Sequence, residues 1–277
     1  MRFGKESAMN ETKKIRLHYL LGDVHWGGHD VHRIAEFLIG LLRKTDAFEI
    51  TCVCDEPRLS DITFDDYFAS GRISDADVFV FNCGNYRFNT KEEQRMLEDA
   101  VARGAGFVFL HGDHPCYWAE VGMKPWAEIE KMAGLMWREP TRHGDYADAA
   151  VRIDDPDHPV TRGLSDFTTR DEVFCTCSNV HGVPLQVLAS AYSDPDVVSR
   201  HGLHGTGAWE PMAAVGQYGA GRTFNFLLGH VWPFYTGHGI GEDTMLSWKP
   251  KQVRQMFVRA CEWAATGDTA KTASFVF

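Results

Sequence analysis

The 277-residue sequence predicts an α/β protein with a doubly wound, flavodoxin-like and mostly parallel sheet. Short continuous apolar runs, such as ADVFVFN over residues 76–82 and GFVFL over 106–110, are typical of parallel strands buried on both faces. Amphipathic stretches separate these runs. Such an alternation of strands and helices, joined by right-handed crossovers, produces a doubly wound sheet.

The N-terminal half shows this alternation in order. Its first three predicted elements are a strand, an amphipathic helix and a second strand, over residues 15–21, 30–44 and 48–53. The next helix is marked by its first turn, because Thr90 can cap it and Glu93 follows at the spacing of a capping box. We expect this helix to end near Ala102, where an Arg-Gly pair follows.

The C-terminal half is predicted to be rich in strands that extend the same sheet. Helical periods become scarce beyond residue 140, and strand-like segments recur at residues 149–153, 172–176, 185–189, 212–217 and 222–228. Residues 193–207 predict a long surface loop, and apolar residues at helical spacing predict a terminal helix over 249–265. We expect residues 1–13 to form a flexible tail and residues 14–277 a single domain.

Composition argues against several classes of protein. The 28 Lys and Arg residues against 38 Asp and Glu residues give a formal net charge of −10, which repels a nucleic-acid backbone. No run approaches the roughly 18 apolar residues of a membrane span, and the N-terminus lacks the apolar core of a signal peptide. The phosphate-binding patterns GxGxxG and GxxxxGK followed by Ser or Thr are both missing. We therefore expect a cytoplasmic protein that binds no membrane, nucleic acid or nucleotide, with its seven cysteines as thiols.

Histidines are concentrated where three predicted strands end. The segments are GDVHWGGHDVH over residues 22–32, HGDHPCYW over 111–118 and GHVWPFYTGH over 229–238. Ligands of open α/β sheets bind at the carboxyl ends of the strands, so these imidazoles could bind a divalent metal or transfer protons. For any one of them a structural or surface role stays the alternative. The seven histidines are His25, His29, His32, His111, His114, His230 and His238.

Two carboxylates and one thiol are further candidates. Asp113 lies between two of the histidines, where it could orient an imidazole, ligate a metal, bind a sugar hydroxyl or merely cap a turn. Glu172 stands at a predicted strand start, either as a base in the pocket or as a solvated side chain. Cys116 is the remaining nucleophile candidate, although Asp113 takes the place of a nucleophile-elbow residue.

Aromatic residues accompany the same three segments. Flat aromatic faces suit the C–H faces of sugar rings, while polar groups meet the hydroxyls. This combination favours a polyhydroxylated small molecule as the ligand. The aromatic residues are Trp26, Tyr117, Trp118, Trp232, Phe234 and Tyr235.

Several motifs occur in an order that resembles the ThuA-like, or trehalose-utilisation, proteins. They are GAGFVFLHGDHPCYW, WAEIEKMAGLMWRE, DPDHPVTRGLSDF, DEVF, GAGRTFNFLLGHVW and a last helix ending in CEWA, within residues 15–265. The resemblance implies a fold similar to the class I glutamine amidotransferases without their cysteine. It also implies a carbohydrate context, with a 3-keto sugar or glycoside as substrate. The positions that match family motifs are His32, His111, His114, Glu172 and His230.

The main functional hypothesis is an enzyme that isomerises, eliminates or hydrolyses a sugar or keto-sugar. A sugar-binding or regulatory protein without catalysis and a hydrolase using Cys116 are the alternatives. The predicted catalytic residues are His111, Asp113, His114, Glu172 and His230. The predicted sugar-binding residues are Trp26, Tyr117, Trp118 and Trp232. The predicted ligands of a zinc or manganese ion are His32, His114 and His230. The expected partner is a small carbohydrate, and assembly into a homo-oligomer is left open.

Overall fold

A nine-stranded sheet organises the part of the chain that the structure describes. The structure is a computed structural model, and it describes residues 13–22, 29–83, 88, 90–111, 126–138, 140–232 and 245–275. Five neighbouring strands run parallel to one another. They are β1 (Ile15–Leu21), β2 (Phe48–Val53), β3 (Val78–Asn82), β4 (Gly106–Phe109) and β11 (Gly221–Phe226).

The other half of the sheet is antiparallel. Its strands are β6 (Ala147–Ile153), β7 (Phe167–Asp171), β9 (Gln186–Tyr192) and β10 (Trp209–Tyr218). The complete order is β2-β1-β3-β4-β11-β10-β9-β6-β7. A separate two-stranded ribbon pairs β5 (Arg142–His143) with β8 (Phe174–Cys175).

Helices cover both faces of the parallel half. They are α1 (Val31–Lys44), α2 (Phe64–Ser70), α3 (Lys91–Ala102), α4 (Ala127–Ala133) and α5 (Lys251–Thr266). One apolar core unites α1 and α5 with one side of the strands, and a second core unites α2, α3 and α4 with the other side. The strands β3 and β4 are buried on both faces, as their unbroken apolar runs predict.

Helix caps fix where two of these helices begin. The Asp30 carboxylate accepts a hydrogen bond from the Arg33 backbone N–H at 3.1 Å, which starts α1. Thr90 and Glu93 form the predicted capping box at the start of α3, each accepting a hydrogen bond from the other's backbone N–H. Both helices therefore begin where the sequence predicts.

The predicted fold class is confirmed. The parallel strands have the order typical of flavodoxin-like sheets, helices lie on both faces, and the C-terminal half adds antiparallel strands. The helices α2 and α4 were not predicted, because each has only seven residues and too short an apolar period.

The predicted strand over residues 172–176 is wrong in its boundaries. The strand β7 ends at Asp171, and only Phe174 and Cys175 of that segment are paired. Thr176 has a left-handed φ of 61°, which interrupts an extended chain. Glu172 consequently follows the end of a strand instead of starting one.

Within the described residues, no helix combines the length and the apolar character that a bilayer span requires.

A buried histidine far from the strand exits makes stability sensitive to pH. His18 lies on β1, with its Nδ1 2.6 Å from the Tyr67 hydroxyl. Burial lowers the pKa of His18 to about 4, and Arg72 and Arg16 act in the same direction against Asp75 and Asp77. The unfolded chain, with an ordinary pKa near 6.5, binds a proton below that pH which the folded chain does not bind. His18 therefore stabilises the fold fully above pH 6.5, and this contribution is lost as the pH falls toward 4.

We expect the His18→Gln variant to lose less stability than the wild type on acidification. Between pH 7 and pH 5 the wild type should lose about 2 kcal/mol more of its free energy of unfolding, because only its chain carries the titrating imidazole. Urea unfolding of both chains at the two pH values measures this difference, since all other titrating groups are shared. If both chains lost the same free energy of unfolding between pH 7 and pH 5, the lowered pKa of His18 would be contradicted.

Candidate active site

Two neighbouring strands bring His111 and His230 together. The strands β4 and β11 pair in parallel, with Phe109 opposite Asn225, so the residues after them leave the sheet side by side. The Nε2 atom of His111 lies 3.1 Å from Nδ1 of His230. Both side chains are buried.

A backbone carbonyl fixes the protonation pattern of these two rings. The Nδ1 atom of His111 lies 2.6 Å from the carbonyl oxygen of Leu227, which can only accept a hydrogen bond. His111 therefore carries its proton on Nδ1, and in the neutral ring its Nε2 accepts. The facing Nδ1 of His230 is then the donor, which leaves the lone pair of His230 on Nε2.

His29 completes a group of three imidazoles. The Asp30 backbone N–H donates a hydrogen bond to the Val231 carbonyl at 3.0 Å, which places the start of α1 beside the residues after β11. The ring centroid of His29 lies 4.6 Å from that of His230 and 5.4 Å from that of His111. One nitrogen from each ring can be chosen so that all three lie within 4.8 Å of one another.

Glu172 adds a buried carboxyl group to this cluster. Its Oε2 atom lies 3.5 Å from Nδ1 of His230 and 3.6 Å from Nδ1 of His143. The His143 ring is half-buried, and its Nδ1 donates a hydrogen bond to the Gly144 carbonyl at 2.6 Å. The carboxyl group thus stands between two imidazoles, one from β5 and one from the exit of β11.

Asp171 holds the backbone around the site. Its carboxylate accepts hydrogen bonds from the backbone N–H groups of Glu172 at 2.9 Å, Gly229 at 2.7 Å and His230 at 3.2 Å. The side chain is almost fully buried. The end of β7 is thereby tied to the segment that leaves β11.

Burial dominates the electrostatics of the site. It raises the pKa of Asp171 to about 7, against the opposing effect of its backbone N–H donors. It also raises the pKa of Glu172 well above its usual range, with the neighbouring Asp171 charge as the next cause. Burial lowers the pKa of His29 to about 4 and lowers that of His143 as well. At neutral pH the imidazoles of His29 and His143 are therefore uncharged.

Aromatic rings surround the imidazoles. The Phe174 ring lies on His111 with a centroid distance of 4.1 Å, and the Trp232 ring lies 4.6 Å from His230. The centroid of the Tyr146 ring lies 5.9 Å from that of His230, and the guanidinium carbon of Arg200 lies 5.9 Å from the centroid of the Trp232 ring. Trp232 is the predicted sugar-binding residue that the structure places at this site.

The structure brings some of the predicted site residues together and leaves others apart. His111, Glu172 and His230 are in contact as a chain of side chains, with Trp232 beside them. His32 lies in the first turn of α1 and does not belong to the imidazole group found among the described residues. The other candidate residues fall outside the described residues; they are His25, Trp26, Asp113, His114, Cys116, Tyr117, Trp118, Phe234, Tyr235 and His238.

Three contributors were not selected from the sequence. His29 belongs to the first histidine-rich segment, but the family motif pointed to His32 instead. His143 enters through a two-residue strand, which leaves no periodic signal. Asp171 is the first residue of the DEVF motif, and no local pattern reveals a hydrogen bond to backbone groups 58 and 59 residues away.

Comparison with models of protein families shows to which family this chain belongs. The model of the ThuA family, described as trehalose utilisation, matches residues 22–264. The chain belongs to the ThuA family. This membership agrees with the sequence resemblance and suggests a carbohydrate-related function. A comparison with curated protein sequences found no match.

Solved structures share the fold of this ThuA-family chain. A protein described as ThuA-like from Parabacteroides merdae has a TM-score of 0.65 at 18% identity, covering 93% of this chain and 92% of its own. Another described as ThuA-like, from Bacteroides uniformis, has a TM-score of 0.66 at 15% identity, covering 96% and 97%. A cytoplasmic protein from Salmonella typhimurium LT2 has a TM-score of 0.52 at 12% identity, covering 90% and 99%. At these identities the likeness shows the fold alone.

Gly229 is the position where the backbone of the site tolerates no side chain. Its φ is 116°, and an added Cβ would lie 2.6 Å from the Trp248 ring, whose Nε1 donates a hydrogen bond to the Gly229 carbonyl. We expect Gly229→Ala to lower the free energy of unfolding by about 3 kcal/mol, combining left-handed strain with overpacking.

Gly163→Ala is the matched control for this prediction. Gly163 has a φ of 74°, and no atom lies within 4 Å of an added Cβ. It should therefore lose only about 1 kcal/mol, from backbone strain alone. Urea unfolding of the two variants compares the costs, and equal values would show that the Trp248 contact does not constrain Gly229.

Proposed function

We propose that this chain is a carbohydrate-processing enzyme that acts on a sugar or 3-keto-glycoside, with Glu172 and His230 as its proton-transferring pair. One observation carries the proposal. The Glu172 carboxyl lies 3.5 Å from the His230 imidazole at the edge of the sheet where the strands β4, β7 and β11 end. A carboxyl and an imidazole in contact can take a proton and return it in one reaction cycle.

A 3-keto-glycoside can react through a proton transfer that a carboxyl and an imidazole can carry out. The ketone acidifies the neighbouring C–H group at C2, so a base can remove that proton and leave an enolate. The enolate can expel the glycosidic oxygen at C1, which takes up a proton, and this step is an elimination. Addition of water to the resulting double bond completes a net hydrolysis. Return of the proton to a different atom is an isomerisation instead. All three reaction types therefore begin with the same proton transfer.

The surroundings of the pair support a sugar as the substrate. Trp232 offers an aromatic face beside His230, and rings of this kind pack against the C–H faces of sugars. The matching family model is described as trehalose utilisation. We accordingly propose a small carbohydrate as the partner, and a cytoplasmic protein that binds neither nucleic acid nor membrane.

We expect the Glu172→Gln variant to lose at least about 100-fold in turnover while keeping its fold, because an amide cannot carry the transferred proton. The assay incubates the full chain with trehalose, 3-keto-trehalose and other 3-keto-glycosides in D₂O. Proton NMR then follows both product formation and exchange of the C2 proton, which reports the first step without net turnover. Glu49→Gln, an exposed carboxylate on β2, is the matched control and should leave both rates unchanged.

Two outcomes would overturn this proposal. Equal rates in the wild type and the Glu172→Gln variant would remove Glu172 from the chemistry. Calorimetric binding of these sugars with neither exchange nor product would instead support a non-catalytic sugar-binding protein.

A further inference from the structure

We propose that His29, His111 and His230 form a binding site for one divalent transition-metal ion, with zinc as the best match. This inference goes beyond the proposed function, because it assigns a cofactor and a ligand set that proton transfer by Glu172 does not require.

The spacing of the three rings fits a shared ion. Their centroids are 4.6, 5.1 and 5.4 Å apart. Three imidazoles bound to one tetrahedral zinc ion at ~2.0 Å would hold their centroids roughly 5 Å apart. The rings are inclined to one another by 58°, 66° and 82°, so none of the pairs is stacked face to face.

Two of the rings are already oriented as metal ligands usually are. The Leu227 carbonyl holds the Nδ1 proton of His111, which leaves the lone pair of its Nε2 on the side of the other imidazoles. His230 has the Glu172 carboxyl 3.5 Å from its Nδ1, and its lone pair is on Nε2. A carbonyl or carboxylate behind a ligating histidine is the usual arrangement, because it fixes the ring and strengthens the ligand. When an ion occupies Nε2 of His111, Glu172 is the acceptor left for the His230 Nδ1 proton, so His230 then orients Glu172 and only Glu172 exchanges a proton with the substrate.

His29 supplies an independent observation. Both of its ring nitrogens are buried, and neither has a hydrogen-bond partner within the described ranges. A buried polar atom without a partner destabilises the fold, whereas an apolar side chain could pack against His230 without this cost. A metal ion bound to one ring nitrogen of His29 would remove part of this cost. The hydrogen bond from the Asp30 backbone N–H to the Val231 carbonyl keeps His29 beside His230 without any contribution from an ion.

The ligand set determines which ion fits and what it could do. Imidazole ligands suit zinc, copper, iron and nickel, whereas manganese prefers oxygen ligands, so the structure favours zinc over manganese. Three protein ligands leave a fourth position for water or a sugar oxygen, as in catalytic zinc sites. This set contains His29 in place of the His32 that the sequence predicted, and the predicted His114 lies outside the described residues.

The test is a metal titration of the full chain that needs no substrate. After dialysis against a chelator, the wild type is titrated with Co²⁺, and the visible absorption bands of tetrahedral cobalt are recorded. Zinc is then added as a competitor, and bound zinc is counted by elemental analysis. We expect one ion per chain and displacement of cobalt by zinc. X-ray absorption of the zinc-loaded wild type should count three imidazoles.

Two variants distinguish this site from the set predicted by sequence. His29→Ala should weaken binding by at least about 100-fold, beyond the roughly 10- to 100-fold typical of an outer-shell partner. His32→Ala, only three positions away on α1, should bind as the wild type does. Circular dichroism checks that both variants fold, and the absorption measurement on the wild type decides the matter if His29→Ala does not.

The inference is overturned if the wild type binds no stoichiometric ion, or if fewer than three imidazoles surround it. It is also overturned if His32→Ala loses affinity and His29→Ala does not. Failure here leaves the Glu172 experiment unaffected, because proton exchange in metal-free protein would still support the proposed function.

Discussion

The carboxylate of Asp171 holds the site together. It accepts three backbone hydrogen bonds, from Glu172 beside it and from Gly229 and His230 after β11. In the sheet, β7 lies four strands away from β11, yet Asp171 at its end reaches the segment leaving β11. The end of β7 and the segment that leaves β11 therefore meet at one edge of the sheet. A buried carboxylate is costly without donors, and these three donors offset that cost only when both halves are in place.

The two adjacent carboxyl groups of Asp171 and Glu172 have different contacts and different roles. Asp171 is occupied by backbone donors, whereas Glu172 faces the imidazoles of His143 and His230. Neighbouring acids with different surroundings have different pKa values. Asp171 can therefore stabilise the backbone while Glu172 is available for proton transfer. Fixing the backbone of Glu172 and His230 through one carboxylate also fixes their separation, and proton transfer depends on that distance.

The sequence could predict what local patterns encode. Apolar runs identified the parallel strands, an amphipathic stretch identified α1, and the capping box of Thr90 identified the start of α3. His111 and His230 could be placed together because both follow buried strands, and such strand ends meet at one edge of the sheet. The remainder depends on contacts between distant residues. The pairing of β5 with β8 brings His143 to Glu172, and nothing near residue 143 signals it. The choice between His29 and His32 depends on the backbone bond to Val231, which no spacing rule contains.

The strand order also governs when the site can exist during synthesis. β4 has β3 on one side and β11 on the other, and residues 110–220 lie between β4 and β11 in the chain. A nascent chain that has emerged only as far as residue 220 presents β4, with its sequence GFVF, as an apolar edge strand. Such edges pair readily with other chains, so chaperone protection is most needed in this interval. The three-imidazole group and the Asp171 bonds then form together, late, when the residues after β11 leave the ribosome.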